Sequence, residues 1–116
     1  MARVTLYHNP RCSKSRQALE LLRSRDIEPE IVEYLDNPPS LAELDAILKM
    51  LDMEPRELMR RKESVYRDMA LDDDTLDRHS LLQAMVEHPI LIERPIVVAR
   101  GRAALGRPPE NVLDVV

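Results

Sequence analysis

No phenylalanine and no tryptophan occur in the 116 residues of this chain, and cysteine occurs only once. Without large aromatic rings, the core must come from Leu, Ile, Val, Met and Ala, which can still pack at native density. A single cysteine excludes a disulfide within the chain. No apolar run approaches the roughly 20 residues that span a bilayer, and the N-terminus lacks a signal-peptide apolar region. We therefore expect a cytoplasmic protein that has no contact with a membrane.

The balance of charges excludes another class of partner. A formal net charge of -4 argues against an extended nucleic-acid surface, which is normally basic overall. The length is typical of one domain, and neither a linker nor an internal repeat interrupts it. We expect a single domain over residues 1–116. We also expect a monomer, since no long apolar stripe is left over once the core is filled.

The hydrophobic pattern predicts an α/β protein that begins with a βαβ unit. A β-rich segment at residues 3–7 is followed by a helical pattern from Ser13 to about residue 25. A second strand is expected at residues 31–34, before Asn37-Pro38-Pro39 stops it. Because the connection between the two strands is a helix, they should be parallel with a right-handed crossover.

Residues from about 38 to 90 predict a helical insertion. Its expected helices begin at the capping box of Ser40 and Glu43, at Pro55, and after the aspartates of residues 72–74, with the third helix reaching about His88. The aspartates are taken as a helix-start signal because their charge complements the helix dipole.

The C-terminal part predicts two strands and a closing helix. Strands are expected at residues 96–98 and 103–105, joined by a turn at Arg100 and Gly101. The closing helix should begin around Pro108-Pro109. The whole order, βαβ, helices and ββα, is that of a thioredoxin-like core with a small mixed sheet and a helical insertion.

Cys12 stands where the first strand gives way to the first helix. Asn9-Pro10 breaks the strand, so the thiol should lie beside the unpaired amides of a helix N-terminus, where partial positive charge stabilises a thiolate. Arg, Ser and Lys flank this cysteine, whereas a buried structural cysteine lies in an apolar run. The pattern favours a reactive nucleophile.

Other polar residues are candidates for the same site. His8 could pair with the thiol, orient the loop or stabilise the thiolate. Arg60, Arg94 and Arg107 stand at the edges of elements and could together bind a tetrahedral oxyanion; alternatively, they are ordinary solvated arginines. One cysteine with scattered histidines, among them His79 and His88, does not form a zinc ligand set, so we expect no metal.

Several motifs are similar to those of one family. The chain resembles the glutaredoxin-coupled arsenate reductases, which have a thioredoxin-like fold. The similarity runs in order through Tyr7-His8-Asn9-Pro10-Arg11-Cys12-Ser13-Lys14-Ser15-Arg16, Tyr34-Leu35-Asp36-Asn37-Pro38-Pro39, Glu57-Leu58-Met59-Arg60, His88-Pro89-Ile90-Leu91, Glu93-Arg94-Pro95-Ile96-Val97-Val98 and Gly106-Arg107-Pro108-Pro109.

The resemblance implies a role for each matching residue. Cys12 would attack arsenate, and His8 would lower the pKa of its thiol. The substrate oxyanion would be held by Ser13, Lys14, Ser15, Arg16, Arg60, Arg94 and Arg107. Pro95 matches the cis-proline that faces the active cysteine in thioredoxin-like proteins.

The resemblance also implies the partners of the reaction. Glutathione would be a co-substrate and glutaredoxin the protein partner, with no tightly bound cofactor. A chain with one cysteine needs such an external thiol to resolve its adduct. The product would be arsenite, in a pathway of arsenic detoxification.

Two other functions remain open. Residues 12–15 also resemble the motif of a monothiol glutaredoxin, which would make the protein a glutathione-dependent thiol oxidoreductase. Thioredoxin-like transcription regulators that bind RNA polymerase carry Cys-x-x-Cys, but the fourth position here is Ser15, which argues against a redox switch of that kind.

Overall fold

The computed structural model describes residues 3–116, which form two compact units. The first contains residues 3–37 and 94–116, and the second contains residues 38–93. The second unit occupies nearly the same residues as the predicted insertion, whereas the organisation of both units as one domain stays a prediction. Within residues 3–116, no helix is long and apolar enough to cross a membrane.

A four-stranded mixed sheet forms the centre of the first unit. Its strands are β1 (Val4–His8), β2 (Glu30–Glu33), β3 (Ile96–Ala99) and β4 (Arg102–Leu105). They lie in the order β2-β1-β3-β4. The β1 and β2 strands are parallel, while β3 is antiparallel to both β1 and β4. Helix α1 (Ser13–Ser24) makes the connection between the parallel pair, as the βαβ pattern predicted.

The core of the first unit is aliphatic. It combines residues of the central strands, of α1 and of the C-terminal segment: Leu6, Ala18, Leu22, Val97, Ala104, Val112 and Val115. Spacings of four along α1 and three along the C-terminal segment place these side chains on one face of each. Leu6, Leu22 and Val97 have no exposed surface, so the core closes without a phenylalanine or a tryptophan.

Two glycines act differently at the ends of β4. Arg100 and Gly101 have φ values of 56° and 73°, which suit the tight turn between two antiparallel strands. Gly106 instead lies where a side chain has no room. A Cβ atom there would be 2.6 Å from Cγ of Pro95 and 3.1 Å from Cγ1 of Val112. Gly106 therefore permits the close packing of the chain against Pro95.

The second unit is helical. It contains α2 (Leu41–Leu51), α3 (Ser64–Asp68) and α4 (Arg78–Glu87), with short 3-10 helices at Pro55–Leu58 and Pro89–Leu91. The capping box predicted at Ser40 and Glu43 is present, and α2 packs against α4. Apolar side chains from these elements are fully buried, including Leu44, Leu48, Leu58, Met85 and Leu91.

The third predicted helix begins later than its acidic run suggested. The helix was expected directly after residues 72–75, but α4 begins at Arg78, and Asp77 is the cap that accepts from the Ser80 amide at 2.8 Å. Asp73 instead stabilises a turn, since its carboxylate accepts from both the amide and the hydroxyl of Thr75. A local side-chain bond thus competes with helix formation.

One element was missed, and two other expectations need correction. Helix α3 was not predicted, because its five residues are too few for a helical period to be recognised. The segment Pro109–Val115 is a 3-10 helix where an α-helix was expected. The second strand ends at Glu33, so Tyr34 lies just beyond it.

Candidate active site

Cys12 is the N-cap residue of α1. Its backbone is extended, with φ -94° and ψ 124°, as is usual for the residue that precedes a helix. Its amide donates to the Asn9 carbonyl at 3.0 Å, and its own carbonyl accepts from the Arg16 amide at 3.0 Å. The loop between β1 and α1 therefore places the thiol at the helix start, as the sequence predicted.

Hydrogen bonds within this loop hold it in one shape. The Ser15 hydroxyl oxygen accepts from the Asn9 amide at 3.0 Å, and the Asn9 side chain accepts from the Arg11 amide at 3.0 Å. The Arg16 guanidinium donates to the Pro10 carbonyl at 2.9 Å. The backbone around the thiol is thus held from both sides, which limits the reorganisation needed when a ligand arrives.

The electrostatics of the loop favour the thiolate. Burial by itself raises the pKa of the Cys12 thiol, but the pKa lies below its usual value because two amides and two cations stabilise the anion. These groups are, in decreasing order, the amide of Ser15, the charge of Arg94, the amide of Lys14 and the charge of Arg107. A lowered pKa increases the fraction of the thiolate, which is the nucleophilic form of cysteine.

His8 ends β1 and is buried, with 6% of its surface exposed. Its Nδ1 atom lies 2.6 Å from the hydroxyl oxygen of Ser15. Burial lowers the pKa of His8, and the nearby Glu33, its register partner on β2, only partly opposes this effect. The histidine is therefore neutral at pH 7. Its partner is Ser15, whose amide is the strongest group lowering the thiol pKa.

Arg94 and Arg107 belong to the same unit as Cys12. The Arg107 side chain donates through Nε to the Arg94 carbonyl at 3.0 Å, and the Gly106 amide donates to the Pro95 carbonyl at 2.8 Å. The segment before β3 and the segment after β4 are thereby joined. The Arg94–Pro95 peptide bond is cis, the conformation that the resemblance implies for Pro95.

Arg60 belongs to the second unit. Its guanidinium lies between two carboxylates, 3.8 Å from Glu63 and 3.8 Å from Glu93. The expectation that Arg60 joins Arg94 and Arg107 around one oxyanion stays a prediction.

The remaining residues of the expected oxyanion site differ in exposure. Ser13, Lys14 and Arg16 are exposed, whereas Ser15 has no exposed surface. The Ser15 hydroxyl makes its hydrogen bond to His8, and the Ser15 amide is the group of this residue that lowers the pKa of the thiol. Substrate binding by these four residues stays a prediction.

Some contributors to the site carry no strong signal in the sequence. Asn9 was read only as a strand breaker, although its carbonyl, amide and side chain all hold the loop. The cis bond at Arg107–Pro108 was not expected, because trans is the usual isomer before proline. Within residues 3–116, no cluster of three His, Cys, Asp or Glu side chains has the arrangement of a metal site.

Comparison with known proteins places this chain in a family. A model of the ArsC family matches residues 7–115. The chain is 54% identical to YfgD of Escherichia coli strain K12, described as an uncharacterized protein, over 97% of this chain and 96% of the relative. It is 50% identical to a protein named arsenate reductase from Neisseria meningitidis strain Z2491, over the full length of both.

The similarity extends to three-dimensional structure. A solved structure described as arsenate reductase from Vibrio cholerae superimposes with a TM-score of 0.95 at 48% sequence identity, covering 98% of each chain. The predicted fold class, a thioredoxin-like core with a mixed sheet, is thereby confirmed, and so is the resemblance indicated by the motifs. The chain belongs to the ArsC family.

Proposed function

We propose that this protein reduces arsenate to arsenite, with Cys12 as the nucleophile. The observation that carries the proposal is the lowered pKa of a thiol placed at a helix start beside two arginine charges. The amides and guanidinium groups that stabilise the thiolate can also bind an oxyanion, because they donate hydrogen bonds to its oxygens. Relatives named arsenate reductase support arsenate as the oxyanion.

The first step is attack by the Cys12 thiolate on the arsenic of bound arsenate. A sulfur–arsenic bond forms, and one oxygen of the substrate takes up a proton from the solvent and leaves as water. The amides at the start of α1, with Arg94 and Arg107, stabilise the negative charge that the substrate carries through this step. Arg60 would supply a third guanidinium. His8 acts through Ser15, whose hydroxyl and amide both belong to the Cys12 loop.

The second step needs a thiol from outside the chain, since Cys12 is its only cysteine. We propose that the glutathione thiol bonds to the arsenic of the adduct and displaces a second oxygen as water. A glutaredoxin thiol then forms a mixed disulfide with that glutathione sulfur, which leaves As(III) on Cys12. Water hydrolyses the remaining sulfur–arsenic bond, releasing arsenite and the free Cys12 thiol. Reduction of arsenate to arsenite takes two electrons, and they come from oxidation of two thiols to a disulfide. Glutathione is therefore a co-substrate, and no bound cofactor takes part.

Coupled turnover tests the proposal. The purified protein is mixed with arsenate, glutathione, glutaredoxin, glutathione reductase and NADPH, and NADPH oxidation is followed. We expect oxidation that depends on arsenate and disappears in Cys12→Ser, because serine cannot form the sulfur–arsenic bond. Arg102→Ala is a matched control, because Arg102 is an exposed arginine of β4; this variant should keep full activity.

The same mixture distinguishes the alternative functions. Reduction of a mixed glutathione disulfide without any arsenate-dependent turnover would favour a glutathione-dependent thiol oxidoreductase and contradict the proposal. Lack of both activities, together with binding of the protein to RNA polymerase in a separate pull-down, would favour a transcription regulator.

A further inference from the structure

Three cations and no carboxylate lie in the segment that carries the nucleophile. Arg11, Lys14 and Arg16 flank Cys12 within residues 9–16, which contain neither Asp nor Glu. The chain as a whole has a formal net charge of -4, so the charge of this segment is opposite to that of the protein. All three cations are exposed residues. The Cys12 loop therefore presents a cationic surface to the solvent.

This surface is unfavourable for the stability of α1. The start of a helix is the positive end of its dipole, which favours acidic side chains in the first turn. The first turn of α1 contains no acidic residue, and Lys14 places a positive charge there. Local arrangements that work against the stability of their own element are typical of functional sites.

Of the three cations, only Arg16 has a partner within residues 3–116. Its guanidinium donates to the Pro10 carbonyl at 2.9 Å, so it stabilises the loop. The side chains of Arg11 and Lys14 make no hydrogen bond and no ion pair with any residue in that range. Two positive charges close to the nucleophile are thus available to a ligand.

The backbone fixes where these two side chains begin. The Arg11 amide donates to the Asn9 side chain at 3.0 Å, and the Lys14 amide is one of the two amides that lower the pKa of the Cys12 thiol. Each side chain therefore begins beside the sulfur, while its length lets the charge meet a ligand that extends beyond the loop.

The size of the ligand distinguishes an oxyanion from a thiol. The charges that act on the Cys12 sulfur itself are those of Arg94 and Arg107, and an arsenic atom bonded to that sulfur lies in their reach. Glutathione is larger, and it carries a carboxylate at each end, well away from its own thiol. Cations around the rim of the loop can meet these carboxylates as the glutathione sulfur approaches.

We infer that Arg11 and Lys14 recruit the external thiol and select an anionic thiol, glutathione, over neutral and cationic thiols. The inference rests on the proposed function, because it takes glutathione as the thiol that reaches Cys12. It assigns the charge of Lys14 to the co-substrate, whereas the resemblance assigns it to the oxyanion. The selection is electrostatic and exposed to solvent, so salt should weaken it.

A thiol exchange that needs no arsenate tests the inference. Cys12 is first converted to a mixed disulfide with the uncharged 2-thiopyridyl group. An added thiolate then attacks the Cys12 sulfur, the disulfide bond breaks, and the leaving sulfur takes the electron pair and a proton to give pyridine-2-thione, whose absorbance is followed. Glutathione is compared with its diethyl ester, which has the same thiol but lacks the two carboxylate charges.

The substitutions should affect glutathione selectively. In about 0.1 M salt, we expect Arg11→Gln and Lys14→Gln each to slow the reaction with glutathione at least twofold, and the double variant to slow it at least fivefold. The rate with the diethyl ester should be nearly unchanged. Arg11→Lys should keep the glutathione rate, because it keeps the charge. At about 1 M salt the effect of the substitutions should disappear.

Arg25→Gln is the matched control. Arg25 is an exposed residue at the C-cap of α1, so this substitution removes the same charge at the other end of the same helix. The 12 residues of α1 span about 18 Å, which exceeds the screening length of about 10 Å in 0.1 M salt. The rates of this variant with both thiols should equal those of the unaltered protein.

The outcomes are distinct from those of the proposed function. An unchanged glutathione rate in the double variant would overturn the inference, even in an enzyme that reduces arsenate normally. Equal slowing with glutathione and with its diethyl ester would also overturn it, because the two charges would then act on Cys12 itself. Selective slowing with glutathione in a protein that shows no arsenate-dependent turnover would instead refute the proposed reduction and leave the inference standing.

A binding measurement tests whether the two cations serve the oxyanion instead. Arsenate affinity is measured by calorimetry for the double variant in a Cys12→Ser background, which prevents chemistry. Weaker arsenate binding, combined with an unchanged preference for glutathione over its diethyl ester, would assign both charges to the oxyanion and overturn the inference.

Discussion

Arg94 and Arg107 of the first unit lie in different surroundings from Arg56 and Arg78 of the second unit. In the first unit, Arg94 and Arg107 lower the pKa of the Cys12 thiol. In the second unit, Arg56 donates to the carbonyls of Leu71 and Asp73 at 2.9 and 2.6 Å. Arg78 donates twice to one carboxylate oxygen of Asp45, at 3.0 and 2.7 Å.

This difference shows that the role of an arginine depends on what the backbone brings within its reach. Arg56 and Arg78 meet loop carbonyls and a carboxylate, so their charge stabilises local structure. In the first unit, two arginines flank a helix start that also carries a thiol, so their charge acts on reactivity. Arg60 shares features with both groups of arginines: it is expected to bind substrate, but it lies between two carboxylates. Substitutions in the two units should therefore have separable effects.

The largest effect is expected from Gly106→Ala in the first unit. The new Cβ would lie 2.6 Å from Cγ of Pro95, and overpacking of this kind destabilises a protein by about 1–3 kcal/mol. Because Pro95 follows Arg94, the substitution should also alter the reactivity of Cys12. Urea unfolding and the rate of Cys12 alkylation measure the two consequences.

Gly101→Ala is the control for this substitution. Gly101 has a φ of 73° and open space around it, so alanine there should cost only about 1 kcal/mol, from backbone conformation alone. Alkylation of Cys12 should not change. Equal effects of the two substitutions on Cys12 would show that the contact with Pro95 does not position the site.

A smaller effect, on chemistry alone, is expected from Arg94→Ala. Removing this charge should raise the pKa of Cys12, so the pH profile of alkylation shifts to higher pH. Arsenate affinity should fall roughly tenfold, equivalent to about 1.4 kcal/mol, because a charged hydrogen-bond donor is lost. Alkylation between pH 5 and pH 10 and calorimetric titration in the Cys12→Ser background measure these changes.

Thermal unfolding of Arg94→Ala tests whether its role is confined to reactivity. The melting temperature should stay close to that of the unaltered protein. An unchanged alkylation profile and unchanged arsenate affinity would remove Arg94 from the site.

The smallest effect is expected from Ser40→Ala in the second unit. The Ser40 hydroxyl accepts from the Glu43 amide at 3.1 Å, and the Glu43 carboxylate accepts from the Ser40 amide at 3.0 Å. Loss of such a cap destabilises a protein by about 1 kcal/mol. Thermal unfolding should register this loss, while Cys12 alkylation should be unaffected. A change in alkylation as large as that of Arg94→Ala would contradict the separation of effects.

Local signals in the sequence predicted the elements well where they were strong. Proline and asparagine before Cys12, the capping box at Ser40 and the β-rich run before Arg100 each correspond to an element boundary. Where several acidic residues compete, the pattern failed: the run at residues 72–74 suggested a helix start, but Asp77 is the cap. Capping depends on which side chain meets a free amide, and this is decided by the fold.

In the candidate site too, the sequence predicted some features and missed others. The sequence indicated Cys12, its helix start and the neighbouring cations, because a helix N-terminus follows from local chain preferences. It did not indicate that Ser15 is the buried partner of His8 or that Gly106 makes room for Pro95, since these contacts join residues 7 and 11 positions apart.

By itself, the sequence indicated the reactive group and predicted that an external thiol takes part. Both follow from residue types that do not depend on conformation: one cysteine, placed after a strand breaker and before a helical pattern. Only the tertiary structure decided which groups act on that thiol and which charges surround Arg60. Those effects depend on distances between residues far apart in the chain, such as Arg60 and Glu93 or Cys12 and Arg94. The energy of an electrostatic interaction falls as the distance between the charges grows, so the strength of these interactions is fixed only once the chain has folded.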